Sequence, residues 1–128
     1  MNALKHEKQV YKVLQNGIGI PKIIYFSDPK ELHPYGNILV MELLGRDLWT
    51  LLQNNKCIFT LKTVLMLAEQ MIERLEFIHS KGYIHDDIKP DNFMIGIGID
   101  KNKLFIGDYG LSKKIIDNHG KHIPYRQV

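Results

Sequence analysis

Leu61, Val64, Leu65, Ala68, Met71, Ile72, Leu75 and Ile78 recur every three or four residues. That spacing lines one face of an α-helix and cannot serve a strand, whose side chains alternate between two faces. Glu69, Glu73, Glu76 and Ser80 repeat at the same interval on another face. Thr60 suits an N-cap, and Gly82 after Lys81 suits a left-handed stop. The pattern predicts a helix over residues 61–80 with a buried apolar stripe.

Shorter signals flank it. Leu4, Val10, Tyr11, Val13 and Leu14 predict an amphipathic helix over residues 3–15, stopped by Asn16 and Gly17. Residues 22–27 and 37–44, separated by a loop with Pro29, Pro34 and Gly36, read as an antiparallel pair of strands. Residues 46–53 suit a short helix ended by Asn54 and Asn55, and residues 93–95 and 103–106 suit short strands joined through Gly96, Gly98 and Asn102. The glycine pairs Gly17/Gly19 and Gly96/Gly98 lack the third glycine of a phosphate-binding fingerprint and read as turns.

A chain of 128 residues is the size of one domain. Its 45% hydrophobic and 24% charged residues exclude a disordered tail, a collagen-like repeat and a disulfide scaffold. The lone Cys57 has no partner for an internal disulfide, which suits the cytosol or nucleus. The apolar runs 38–41 and 64–68 fall far short of the roughly 20 residues that cross a bilayer, and the first residues lack the apolar core of a signal peptide. Neither export nor a membrane partner is expected. Acids and bases balance through residue 112, so the net charge of +3 resides in residues 113–128, with Lys113, Lys114, Lys121 and Arg126 against Asp117. Such a tail suits a phosphate or an acidic peptide, although solvated lysines are the commoner cause. Tyr125 is its only aromatic, so no nucleic-acid partner is expected.

The chemistry-bearing segment is HDDIKPDN, residues 85–92. Pro90 bars a continued helix, so a loop presents three carboxylates, an amide and a lysine within eight positions. Asp and Asn oxygens are hard ligands suited to Mg²⁺, and lysine brings a compact charge for phosphate. Asp108, followed by Tyr109 and Gly110 at a strand end, is a second candidate cation ligand.

The loop resembles the His-Arg-Asp-x-Lys-x-x-Asn catalytic loop of protein kinases, and Asp108-Tyr109-Gly110 resembles their Asp-Phe-Gly motif. With LQNGIGIPKI, ILVMELLGRDL, FTLKTVLMLAEQMI, HSKGYIHDDIKPDNFMIGIG, NKLFIGDYGLSKK and HIPYR, the chain is similar to casein kinase I serine/threonine kinases from about Glu7 to Arg126. The resemblance implies an α+β, protein-kinase-like fold: residues 1–44 as small-lobe remainder and hinge, and residues 45–128 as the start of the helical large lobe. It implies ATP and Mg²⁺ as cofactors, and as partners protein substrates whose Ser or Thr accepts the γ-phosphoryl group, acidic or prephosphorylated ones included. Asp87 would orient the substrate hydroxyl and accept its proton, and Lys89 would face the transferred group. Asn92 and Asp108 would hold Mg²⁺. Met41 would back the adenine pocket, with the main chain of Glu42, Leu43 and Leu44 as hinge. Glu7 would be the helix residue that pairs with the ATP-binding lysine, and His85 would brace the loop.

Several features depart from the family pattern. The Gly-rich loop and strand lysine that normally precede the first helix do not occur in these residues, and Val128 falls within the implied activation segment, so the fold is expected to be incomplete. The apolar face of the 61–80 helix would then lack neighbours. Asp86 stands where the pattern has an arginine that helps form an anion pocket, with Lys113 as a partner. An acid there inverts one wall, weakens dependence on phosphate and, beside Asp87, tends to raise a carboxylate pKa. Tyr109 replaces phenylalanine and needs a hydroxyl partner if buried, and Gly107 is expected to loosen the strand end. Two other readings remain open: an inactive kinase remnant serving as a binding module, and a metal-dependent phosphohydrolase built on His79, His85, Asp86 and Asp108.

Overall fold

A computed structural model describes residues 3–27, 37–117 and 119–124. The loop prolines Pro29 and Pro34, Gly36, Arg126, Tyr125 and the terminus at Val128 lie outside the described residues.

The first helix, α1 (Ala3–Leu14), gives way to a left-handed turn at Asn16, φ 68°. Strands β1 (Ile23–Phe26) and β2 (Leu39–Met41) pair antiparallel, as their patterning predicts. The Ser27 N–H donates to the Ile38 carbonyl at 2.8 Å, and the Ile38 N–H to the Ser27 hydroxyl at 2.7 Å, closing one end of the hairpin. Helix α2 (Leu48–Asn54) starts two residues later than its expected bound because Asp47 caps it, accepting from the Thr50 N–H at 2.8 Å and the Thr50 hydroxyl at 2.7 Å.

Helix α3 (Leu61–Ser80) has the expected bounds. Thr60 accepts from the Thr63 N–H at 3.2 Å, and Gly82 ends it at φ +77°. Its stripe is buried only toward the C-terminus, where the helix meets β3 (Tyr83–Ile84) and β5 (Leu104–Ile106). Ile78 is fully buried and packs with half-buried Met71 and Leu75, while Leu61, Leu65 and Ile72 are 74%, 60% and 66% exposed. The expectation of one buried stripe therefore holds for the last two turns alone. Helical spacing marks which residues share a face, and a second packed layer must cover that face.

Strand β4 (Phe93–Ile95) pairs antiparallel with β5 in the register Phe93↔Ile106, Met94↔Phe105, Ile95↔Leu104. Strand β6 (Lys113–Lys114) pairs antiparallel with β3, Ile84 facing Lys113. One core joins α1, α2, α3 and the β4–β5 hairpin through Val10, Tyr11, Leu14, Leu48, Ile78, Phe93, Leu104, Ile106 and Tyr109. Gln70 and Arg74, one turn apart on α3, clasp Leu104. The Leu104 N–H donates to Gln70 Oε1 at 2.8 Å, and Arg74 Nε donates to the Leu104 carbonyl at 3.1 Å. This α+β arrangement of helices and small antiparallel sheets is the expected fold class. Among the described residues no helix is long and apolar enough to cross a membrane.

Candidate active site

The loop between β3 and β4 carries the candidate chemistry. A 3₁₀ turn, Pro90–Asn92, feeds Asn92 into β4, with Pro90 at its first position, where a missing N–H costs nothing. The Asp87 carboxylate accepts from Lys89 Nζ at 2.7 Å and from Asn92 Nδ2 at 3.1 Å, and Asn92 Nδ2 also donates to the Asp87 carbonyl at 2.9 Å. Lys89, then the Asn92 amide, hold the Asp87 carboxyl below its usual range against partial desolvation, and Lys89 is raised mainly by its bond to Asp87. The rise expected at Asp87 from its neighbour Asp86 is therefore not found: the shift is downward, set by Lys89 and Asn92 against desolvation.

Asp86 adopts a left-handed conformation, φ 63°, and its Oδ2 lies 2.5 Å from Lys113 Nζ. The two neighbouring acids thereby serve different cations. Asp86, which stands where the family pattern has arginine, thereby supplies the counter-charge for Lys113.

The β4–β5 register brings the second motif to this loop. With Phe93 opposite Ile106, the Gly107 N–H donates to the Asn92 carbonyl at 3.0 Å, so Asp108 follows directly from the residue bonded to Asn92. Asp108 is exposed and left-handed at φ 59°, and its Oδ1 accepts from the Gly110 N–H at 3.4 Å. His85, 1% exposed, donates from Nε2 to the Gly107 carbonyl at 2.8 Å and its own carbonyl accepts from the Ser112 hydroxyl at 3.3 Å. It braces the loop, as expected. Gly107 is buried, and a Cβ there would stand 2.9 Å from Met94 Cε and 3.4 Å from the Tyr11 hydroxyl. Close packing, rather than a loosened strand end, accounts for the glycine. Tyr109 is fully buried and its hydroxyl finds the Ile106 carbonyl at 3.0 Å. Burial pushes the phenols of Tyr11 and Tyr109 up, and their rings meet edge to face at 4.9 Å.

Helix α1 brings Glu7 to the same place. Burial, then the charge of Asp108, raise its carboxyl pKa, opposed by the Tyr109 backbone N–H and by His6. His6 Nε2 donates to the Ser112 carbonyl at 2.7 Å, a link that no local sequence pattern signals because 106 positions separate the two.

Met41 is half-buried at the end of β2. The Glu42 N–H donates to the Lys22 carbonyl at 2.9 Å while the Glu42 carboxylate accepts from the Lys22 N–H at 2.6 Å. The Glu42 N–H is therefore committed to Lys22, which leaves the Glu42 carbonyl and the main chain of Leu43 and Leu44 as the polar groups of the expected hinge. Leu43 is 78% exposed. Beyond it, the Gly45 N–H donates to the Ile95 carbonyl at 2.7 Å, so residues 42–44 bridge the β1–β2 pair and the β4–β5 hairpin. A groove of about 360 Å³ lies elsewhere, between α1 and β1, lined by Lys8, Tyr11, Lys12 and the β1 residues.

The donor set fits Mg²⁺. Asn92 has its Nδ2 end turned to Asp87, and Asp108 is a carboxylate on an exposed turn, which together offer hard oxygen ligands. Among the described residues no three His, Cys, Asp or Glu side chains cluster to hold a metal on their own. His85 is buried with its Nε2 on the Gly107 carbonyl, and among the described residues its free Nδ1 joins no cluster of three possible ligands, which counts against the phosphohydrolase reading.

A carboxylate paired with lysine and asparagine on one loop, facing an Asp-Tyr-Gly turn across a hairpin, is the arrangement of a phosphoryl-transfer fold of the kinase class. The family model described as the protein kinase domain matches residues 2–125, and the chain belongs to that family.

Proposed function

We propose that this protein is an ATP-dependent serine/threonine kinase of casein kinase I type, with residues 1–44 and 45–128 contributed by its small and large lobes. The observation that carries the reading is the Asp87–Lys89–Asn92 cluster, joined to Asp108 by the Gly107–Asn92 bond. Motifs from residue 14 to residue 126, in order, support the subfamily. The lone, exposed Cys57 suits a cytosolic or nuclear setting.

Asp87 has the residue type and position to orient a substrate hydroxyl and take its proton. Its lowered pKa keeps it ionised near neutrality, and orientation rather than basicity is its main contribution. Lys89, held at 2.7 Å from Asp87, brings positive charge to where a γ-phosphoryl group would pass. Asn92 and Asp108 would hold Mg²⁺, which when bound neutralises phosphate charge and orients the nucleotide. Met41, the carbonyl of Glu42 and the main chain of Leu43 and Leu44 would receive the adenine, and Glu7 would face a lysine on the α- and β-phosphates.

The test is phosphorylation of casein by the purified native protein with labelled ATP and Mg²⁺, followed by phosphoamino acid analysis. Label on serine or threonine, reduced about 10²- to 10⁴-fold by Asp87→Asn, is the expected result. Label on tyrosine alone, or transfer indifferent to Asp87→Asn, overturns it. A folded protein that transfers nothing leaves the binding-module reading in its place.

A further inference from the structure

Strand β6 meets β3 over two residue pairs only, Tyr83↔Lys114 and Ile84↔Lys113. A ladder that short is marginal by itself. Two hydrogen bonds extend it: the Ile115 N–H donates to the Gly82 carbonyl at 2.8 Å, and the Ser112 hydroxyl to the His85 carbonyl at 3.3 Å. Lys113 Nζ lies 2.5 Å from Asp86 Oδ2 at the same contact, and His6 Nε2 holds the Ser112 carbonyl beside it at 2.7 Å. The left-handed backbone at Asp86 turns its carboxylate to Lys113 while Asp87 serves Lys89 and Asn92. Aspartate and asparagine are among the few side chains that tolerate that backbone.

We propose that Asp86 is a positioning residue, a counter-charge supplied by the catalytic loop itself, which docks Lys113 and with it the segment that follows Asp108 without any phosphate being added to that segment. The name of the segment rests on the kinase reading; the contact does not. The carboxylate that meets Lys113 belongs to the chain itself, so this docking is constitutive, and because both side chains are partly exposed it depends on salt.

Hydrogen exchange of the purified native protein tests this without reference to turnover. Asp86→Asn keeps a residue suited to the left-handed turn and removes the charge, and Lys113→Gln removes the other partner. Both side chains are partly exposed, so each variant should speed exchange at the amides of residues 113–115 only about two- to fivefold. Exchange at the Ile106 amide should not change. Asp86→Arg alone sets two cations together and should exchange faster still, and adding Lys113→Glu to it should slow exchange again. Raising salt to about 1 M, where screening acts within roughly 3 Å, should speed exchange in the wild type and leave Asp86→Asn unaffected. Phosphatase treatment should change nothing. Wild-type exchange rates in both single variants, or phosphatase treatment that loosens residues 113–115 as much as they do, would overturn the proposal. If a variant unfolds globally, the Ile106 amide reports it, and the wild-type salt series decides: no salt response overturns the proposal. Failure to phosphorylate casein bears on the kinase reading alone and leaves the exchange result standing.

Discussion

The Nε2 of His85 donates to the Gly107 carbonyl at 2.8 Å, tying the loop that carries Asp87 to the residue next to Asp108. The imidazole is buried, lies against the Tyr109 ring at 5.0 Å, and its own carbonyl accepts from Ser112. One side chain thus sets the spacing of two catalytic-type motifs that are remote in sequence.

His85→Ala leaves the Gly107 carbonyl without that donor and opens a void beside Tyr109. Losing a buried hydrogen-bond partner costs about 1–3 kcal/mol and the cavity adds to it, so a total near 3 kcal/mol is expected in urea unfolding. A loss under about 0.5 kcal/mol, the size of an ordinary surface substitution, would sink the brace.

Lys89→Met removes the largest cause of the lowered Asp87 pKa, leaving the weaker Asn92 bond against desolvation. The Asp87 carboxyl should titrate at higher pH in this variant than in wild type, as read by carboxyl carbon chemical shifts in NMR. The sign for stability follows. A carboxyl lower in the folded state than in the unfolded chain contributes stability that is present above the ordinary value of 3.8 and is lost as pH falls through the folded value. Lys89→Met should flatten that acid limb, and an unchanged Asp87 titration would show that the 2.7 Å pair does not persist in solution.

Glu7 shifts the opposite way, by burial first and the Asp108 charge second. The contribution of Glu7 to stability is therefore present in full below the ordinary value of 4.5 and is lost as pH rises through the folded value. Asp108→Asn removes the second cause and should lower the Glu7 pKa, with burial still holding it above the unfolded value. Titration of a Glu7 carboxyl carbon indifferent to Asp108→Asn would place the two carboxylates too far apart to interact.

Gly19 and Gly107 should respond unequally to alanine. Gly19 has φ +74°, and a Cβ there would stand 2.5 Å from the Leu104 carbonyl oxygen and 2.3 Å from Arg74 Nε, the group that clasps the same carbonyl. Backbone strain plus overpacking puts Gly19→Ala at about 3 kcal/mol. At Gly107 the closest obstacle is the end of the flexible Met94 side chain, so Gly107→Ala should cost about 1 kcal/mol. Equal losses in denaturant titrations would mean that the turn at Gly19 relaxes freely.

Much of this was legible locally. Thr60, the 61–80 spacing and Gly82 define α3 because caps and helical periodicity act within one or two turns. The loop chemistry of residues 85–92 was equally legible, since Asp87, Lys89 and Asn92 meet within six positions. Arg74 was not: it sits within an acidic run of α3 yet is 4% exposed, because its guanidinium bonds the carbonyl of Leu104, 30 positions away. The His6–Ser112 bond and the Asp86–Lys113 pair share that character.

The amino-acid sequence alone determined the bounds of α3, the presence of α1, α2 and the strands β1, β2, β4 and β5, which side chains share a face, and which loop holds the oxygen and nitrogen groups for phosphoryl transfer, because each depends on neighbours within a few residues; the short pair of β3 and β6 was not legible in this way. The tertiary structure decided which face of α3 is covered, that Gly107 is buried under the end of Met94, that Glu42 spends its N–H on Lys22, and that Asp86 and Asp87 take different cations. Those outcomes depend on strand register and on a left-handed turn, which bring together groups that no local pattern relates.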